Sequence, residues 1–189
     1  IVPHLGRLAS EYPGITLEVV ADEGFANIVE QGFDAGIRLG EDLHNDMRAV
    51  RLTPDLRFAI VATPDYFQRH GEPTHPQDLL QHRCIGWRKA SSGERYKWAF
   101  QQGEQRFSVA VNSPLIVDDA RLLLQAALAH VGIAFAIEQE VEEHLASGRL
   151  RRVLADWCAP FPGFYLYYPN RRNHSVALAT VIELLRLPT

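Results

Sequence analysis

Residues Gly32 to Gly40 read GFDAGIRLG, and this stretch decides the fold. The apolar run from Phe33 to Leu39 has the character of a buried strand, and the glycine at its end opens a loop. Strand ends of this kind build ligand clefts in open α/β sheets. Upstream, Phe25, Ile28 and Val29 recur at helical spacing, predicting a helix over Glu23 to Gln31. Before that helix, Ile15 to Ala21 is rich in β-branched residues and reads as a strand. Strand, helix and strand with short connections predict parallel pairing of Ile15–Ala21 with Phe33–Leu39 through a right-handed crossover.

Downstream, Ala49 to Leu52 and Leu56 to Thr63 are strand-like, and Thr63-Pro64-Asp65 starts a short helix with proline in its first turn. The loop-rich stretch from His70 to Pro76 follows, which sets an expected lobe boundary at Thr63/Pro64. A second alternation then begins: a small helix around Gln77 to Gln81, the strand Cys84 to Trp87, and a hairpin formed by Tyr96–Phe100 and Phe107–Val111 with Gly103 in its turn. Val117-Asp118-Asp119 precedes a helix over Ala120 to His130, with Leu122, Leu123, Ala126, Ala127 and Val131 on its apolar face and Asp118 or Asp119 as N-cap. Gly132, the strand Ile133–Ala136 and an acidic helix from Glu138 to Ser147 complete this half. Leu150–Leu154 and Phe164–Tyr168 read as strands, and Ser175–Leu187 reads as a helix with Val176, Ala179, Leu184 and Leu187 inward. The last strand and helix return to the first half, so the expected division is 1–63 with 163–189 as lobe I and 64–162 as lobe II. The predicted fold class is α/β, two Rossmann-like lobes with a cleft between them.

The chain has 189 residues, 47% of them apolar, with a formal net charge of -4 and a sequence pI near 6.1. That balance argues against a surface built to neutralise phosphates, because nucleic-acid-binding domains are usually basic. The longest apolar run, Leu122 to Ala129, is interrupted by Gln125 and is too short to span a bilayer. Cys84 and Cys158 are too few for a disulfide framework and read as buried thiols. No HExxH or other ligand spacing calls for a metal, and His82-x-Cys84 lacks companions. No GxSxG or comparable motif marks a nucleophile, and no cofactor signature is present.

Taken in order, YPGITLEVV (Tyr12–Val20), FDAGIRLG (Phe33–Gly40), ATPDYF (Ala62–Phe67), HPQDLLQHRCI (His75–Ile85), DDARLLLQAALAHVGIAF (Asp118–Phe135) and FYLYYPNRR (Phe164–Arg172) resemble the effector-binding domain of LysR-type transcriptional regulators. That resemblance implies the type 2 periplasmic-binding-protein fold and a non-enzymatic, cytoplasmic sensor of a small-molecule effector. It implies a homodimer, with Ile1–Glu11 packed antiparallel on the Ala120–His130 helix of a partner, and tetramers in the full-length regulator. DNA would be reached only through a helix-turn-helix domain outside this chain. Family members start with a strand, a loop and the first turns of the helix already under way at Ile1, so roughly 15 to 20 residues of that pattern, including the first strand of lobe I, are expected ahead of it. An extracytoplasmic solute-binding protein on the same fold is the alternative.

The resemblance implicates Asp22, Arg38, Leu39, Gly40 and Thr63 as effector contacts, and from lobe II Gly86, Trp87, Arg88, Val117, Asp118, Asp119 and Phe135. A helix N-terminus at Ala120 suits a carboxylate, and Arg38 or Arg88 can fork onto the same group. Each has a structural alternative: Asp118 or Asp119 as a cap, Trp87 as core, Arg38 paired with Glu41 or Asp42. Arg171-Arg172 reads as a solvated pair.

Overall fold

In the computed structural model the GFDAGIRLG stretch contributes a strand of four residues, β1 (Gly36–Leu39). The structure describes residues 2–21, 28, 30–40, 47–89, 92–170 and 175–188. Asp22 and most of the helix expected over Glu23–Gln31 lie outside them, as do Glu41, Asp42 and Arg171-Arg172. The chain divides into two compact units, Ile1–Asp55 with Pro162–Thr189, and Leu56–Phe161.

The first unit holds α1 (Val2–Glu11), β1, β2 (Met47–Arg51), a strand at Phe164–Pro169 and a helix at Val176–Leu185. The Phe164–Pro169 strand lies in the centre, with β1 and β2 antiparallel on either side in the registers Ile37↔Leu166 and Leu166↔Val50. The expected pairing partner, Ile15–Ala21, joins no ladder among the described residues. Its β-branched composition favours extended backbone, yet a ladder needs a partner edge within hydrogen-bond reach. Ile15–Val20 instead line a cavity of about 360 Å³ together with Gly36–Arg38 and the C-terminal helix. The core is Leu8, Leu166, Tyr168, Val181, Ile182 and Leu185. The C-terminal helix thus turns Leu178, Val181, Ile182 and Leu185 inward, whereas Val176 is 84% exposed. Of the face expected inward, Leu184 does pack against this core while Val176 and Ala179 are exposed, because an almost wholly apolar helix gives little periodic contrast.

The second unit begins with β3 (Phe58–Ala62) and α2 (Pro64–His70). A 3₁₀ turn at Pro76–Gln81 leads into β4 (Ile85–Trp87), and β5 (Trp98–Gln102) pairs with β6 (Gln105–Val109) as the expected hairpin around Gly103, φ 57°. Then follow β7 (Leu115–Val117), α3 (Ala120–Leu128), β8 (Ala134–Ile137), α4 (Glu138–Ala146) and β9 (Arg151–Val153). With these, the Phe164–Pro169 strand is β10 and the C-terminal helix is α5. β3 lies between β8 and β9, antiparallel to both. Because its ladder partners are lobe II strands, β3 belongs to the second unit, and the division falls at Asp55/Leu56 rather than at Thr63/Pro64.

β4 and β7 are parallel. An isolated parallel bridge, Cys84↔Ile133, joins that pair to the β8-β3-β9 ladder. Its bonds are Ile133 N–H to the Arg83 carbonyl at 2.9 Å and Ile85 N–H to the Ile133 carbonyl at 2.8 Å. Gly132 makes this approach possible, because a Cβ there would collide with the Arg83 carbonyl. One face of the unit packs Ala59, Val61, Ile85, Leu123, Ala127 and Val141. The other packs an aromatic cluster that includes fully buried Trp98. Both cysteines are buried and free, and desolvation pushes the Cys84 thiol up to about 12 and the Cys158 thiol up to about 11.

His82 lies buried between the 3₁₀ turn and β4, its Nδ1 3.4 Å from the Tyr66 hydroxyl. Burial, reinforced by His70, lowers its pKa below 6.5. The unfolded chain binds a proton near pH 6.5 while the folded chain resists it, so this contribution is intact above that pH and is lost as the pH falls toward the folded value. Urea denaturation should show wild-type stability dropping below pH 6.5 by up to about 1.4 kcal/mol per pH unit, with a shallower slope in His82→Asn.

Candidate functional site

Parallel strands β4 and β7 end side by side, and this brings six of the residues singled out in the sequence together in the second unit. Gly86 pairs with Ile116 and Trp87 with Val117, and Arg88 N–H donates to the Val117 carbonyl at 2.8 Å. Both strands therefore emit their following residues at the same edge, with Asp118 and Asp119 leading into α3. Gly86 is required here: a Cβ would lie 2.8 Å from Ser113 Oγ and 2.9 Å from its Cβ. Trp87 is half-buried and packs against the aliphatic cluster, which is the core role among its two sequence readings.

The two aspartates separate cleanly. Asp119 is the N-cap, accepting the Leu122 N–H at 2.8 Å, and Arg121 approaches it at 3.7 Å. Asp118 is exposed. Arg88 Nη1 donates to the Gly93 carbonyl at 2.7 Å.

In the first unit the end of β1 is held from β10. Gly40 N–H donates to the Gly163 carbonyl at 2.9 Å, and a Cβ on Gly40 would press on the Tyr165 ring at 2.7 Å and Pro162 at 2.8 Å. The Arg38 guanidinium lies 5.3 Å from the centre of the Tyr167 ring, a cation–π geometry in which the arginine stem stays half-buried. Leu39 is half-buried beside it and pairs with Phe164.

Two expected contacts have structural work. Phe135 is 8% exposed and stacks on Phe58 at 4.3 Å and Trp98 at 5.2 Å, at the centre of the aromatic cluster. Thr63 is 5% exposed, and its hydroxyl caps α2 by accepting the Tyr66 N–H at 3.2 Å. It also lies 2.6 Å from Nδ1 of His130, a residue not singled out in the sequence. The signal available for it was a histidine in place of glycine just after a helix. Among the described residues no group of three His, Cys, Asp or Glu is arranged to hold a metal, and no helix is long and apolar enough to cross a membrane.

Residues 1–187 match the family model of the LysR substrate binding domain. The chain belongs to that family. A Pseudomonas aeruginosa PAO1 protein is 45% identical over 186 residues, which cover 98% of this chain and 61% of that protein. The uncharacterized HTH-type transcriptional regulator YcaN of Escherichia coli K12 is 39% identical over 93% of this chain and 57% of its own length. The chain thus spans about three fifths of the length of these curated relatives. Among solved structures, the regulatory domain of CrgA, a LysR-type transcriptional regulator from Neisseria meningitidis, superposes with a TM-score of 0.80 at 26% identity, covering 97% of this chain and 89% of that one. The LysR substrate-binding domain has the type 2 periplasmic-binding-protein fold, as expected, and the relatives are regulators rather than transport proteins.

Replacing Asp119 by Ala removes the α3 cap and should cost about 1 kcal/mol in urea denaturation. Asp118→Ala should change stability by less than half of that.

Proposed function

We propose that this domain senses a small-molecule effector and, through its occupancy, controls DNA binding by a helix-turn-helix domain of the full-length, cytoplasmic regulator. In this reading it is not an enzyme. The observation that carries it is the shared edge of β4 and β7, where Gly86, Trp87, Arg88, Val117, Asp118 and Asp119 converge at the start of α3. Arg38, Leu39 and Gly40 form the corresponding strand end of the first unit. These residues, with Asp22 and Thr63, are the proposed contact set, and Phe135 backs it from the core.

The chemistry favours an anionic effector. Amide N–H groups at the start of α3 attract a carboxylate, and Arg38 supplies a positive charge already held by an aromatic ring. Asp119 spends its own carboxylate on the Leu122 amide, which leaves the earlier amides of the turn for a ligand. An effector that binds one arrangement of the domain more tightly than another shifts the population by that difference in affinity.

A panel of aromatic and aliphatic carboxylates, benzoate and succinate among them, screened by thermal shift should contain a compound that raises Tm by mass action. Arg38→Ala should weaken binding of that compound at least tenfold in calorimetry while Tm of the free protein moves little. An unchanged affinity in Arg38→Ala removes the first-unit residues from the proposed site.

We further propose a homodimer in which α1 of one copy packs antiparallel on α3 of its partner, with tetramers in the full-length protein. Support comes from apolar side chains left exposed on both helices, Val2 and Leu5 on α1 and Leu122 on α3. Sedimentation velocity should find a dimer that Leu122→Asp converts to monomer; a wild type that stays monomeric at high concentration contradicts it.

A further inference from the structure

The contact between Thr63 and His130 determines where one hydrogen atom sits. A threonine hydroxyl has one hydrogen to donate and two lone pairs to accept with. In Thr63 one lone pair takes the Tyr66 N–H that starts α2. With the residue 5% exposed, the hydroxyl hydrogen needs a protein acceptor. Among the described residues the hydrogen-bond partners of Oγ1 are that amide and His130 Nδ1, at 2.6 Å. Only a ring nitrogen without a proton can receive the hydrogen.

His130 is itself unusual. It follows α3 with φ at 61°, in the left-handed region that glycine occupies more readily. A histidine there keeps its side chain where glycine would offer none, and the ring is the part that reaches Thr63.

We infer that His130 is a positioning residue, a neutral imidazole protonated on Nε2 whose bare Nδ1 takes the Thr63 hydroxyl hydrogen and so leaves Thr63 able to meet a ligand only as an acceptor. This consequence for binding rests on Thr63 belonging to the proposed contact set. An effector group arriving at Thr63 must then be a donor, such as a hydroxyl or an amide or ammonium N–H. A carboxylate oxygen is turned away from this corner and is left to the α3 amides.

The test is long-range ¹H–¹⁵N correlation NMR on the histidine rings of the wild-type domain at neutral pH. A buried hydroxyl left without an acceptor is costly enough to hold the Nε2–H form in excess of the Nδ1–H form by roughly tenfold or more. His130 should therefore show a proton on Nε2 and a hydrogen-bonded, unprotonated Nδ1. In Thr63→Val, which removes the donor and keeps the shape, the Nδ1 resonance should move toward that of an unbonded nitrogen and the tautomer ratio should fall. A His130 carrying its proton on Nδ1 in the wild type overturns the inference, as does an Nδ1 resonance that Thr63→Val leaves unmoved. Should Thr63→Val fail to fold, the wild-type tautomer decides alone. No ligand enters the measurement, so failure of the effector reading would leave its outcome untouched.

Discussion

The second unit depends on one close approach of two backbones. Gly132 lies against the Arg83 carbonyl where no side chain fits, and the bridge Cys84↔Ile133 joins β4 and β7 to the ladder of β8, β3 and β9. Without it the unit would hold three separate small sheets, β4 with β7, β8 with β3 and β9, and the β5–β6 hairpin. With it, the order becomes β7-β4-β8-β3-β9, and α3 can cover one side while the aromatic cluster fills the other. The strand ends at which Trp87 and Asp118 emerge belong to the β4–β7 pair that this bridge joins to the ladder.

The first unit reaches a comparable result by a different route. Its sheet is organised on β10, a strand supplied by the returning chain, and both neighbours run antiparallel to it. Gly163 is wedged beneath the Pro54 carbonyl and Thr53 Oγ1, and Phe164 N–H donates to that same hydroxyl at 2.8 Å. The tyrosines of β10 then serve β1 directly: Tyr165 closes over Gly40, and Tyr167 carries the Arg38 guanidinium. Each unit therefore presents a strand end whose position is set by a glycine that tolerates no side chain.

Much of this was legible in the sequence where local chemistry carries the information. The Asp before an apolar helical run gave α3 and its cap, Thr63-Pro64 gave α2, and Gln102-Gly103 between alternating runs gave the hairpin. What needed the structure was non-local. GFDAGIRLG announces a strand but says nothing about which edge it joins, and β1 pairs with a strand far along the chain. Phe135 looks the same in sequence whether it faces a ligand or an aromatic core. The choice between Asp118 and Asp119 turns on a single hydrogen bond. His130 carried only the weak signal of a histidine just after a helix, and its role lies in a non-local contact with Thr63.

The second unit rests most heavily on the bridge between β4 and β8, and native-state hydrogen exchange reads it directly. The amides of Ile85 and Ile133 donate across it, so they should exchange only through global unfolding of the second unit, at rates matching the central β3 amides. Exchange of these two amides through a low-energy local opening, while β3 stays protected, would contradict it and leave the strand-end site without its support.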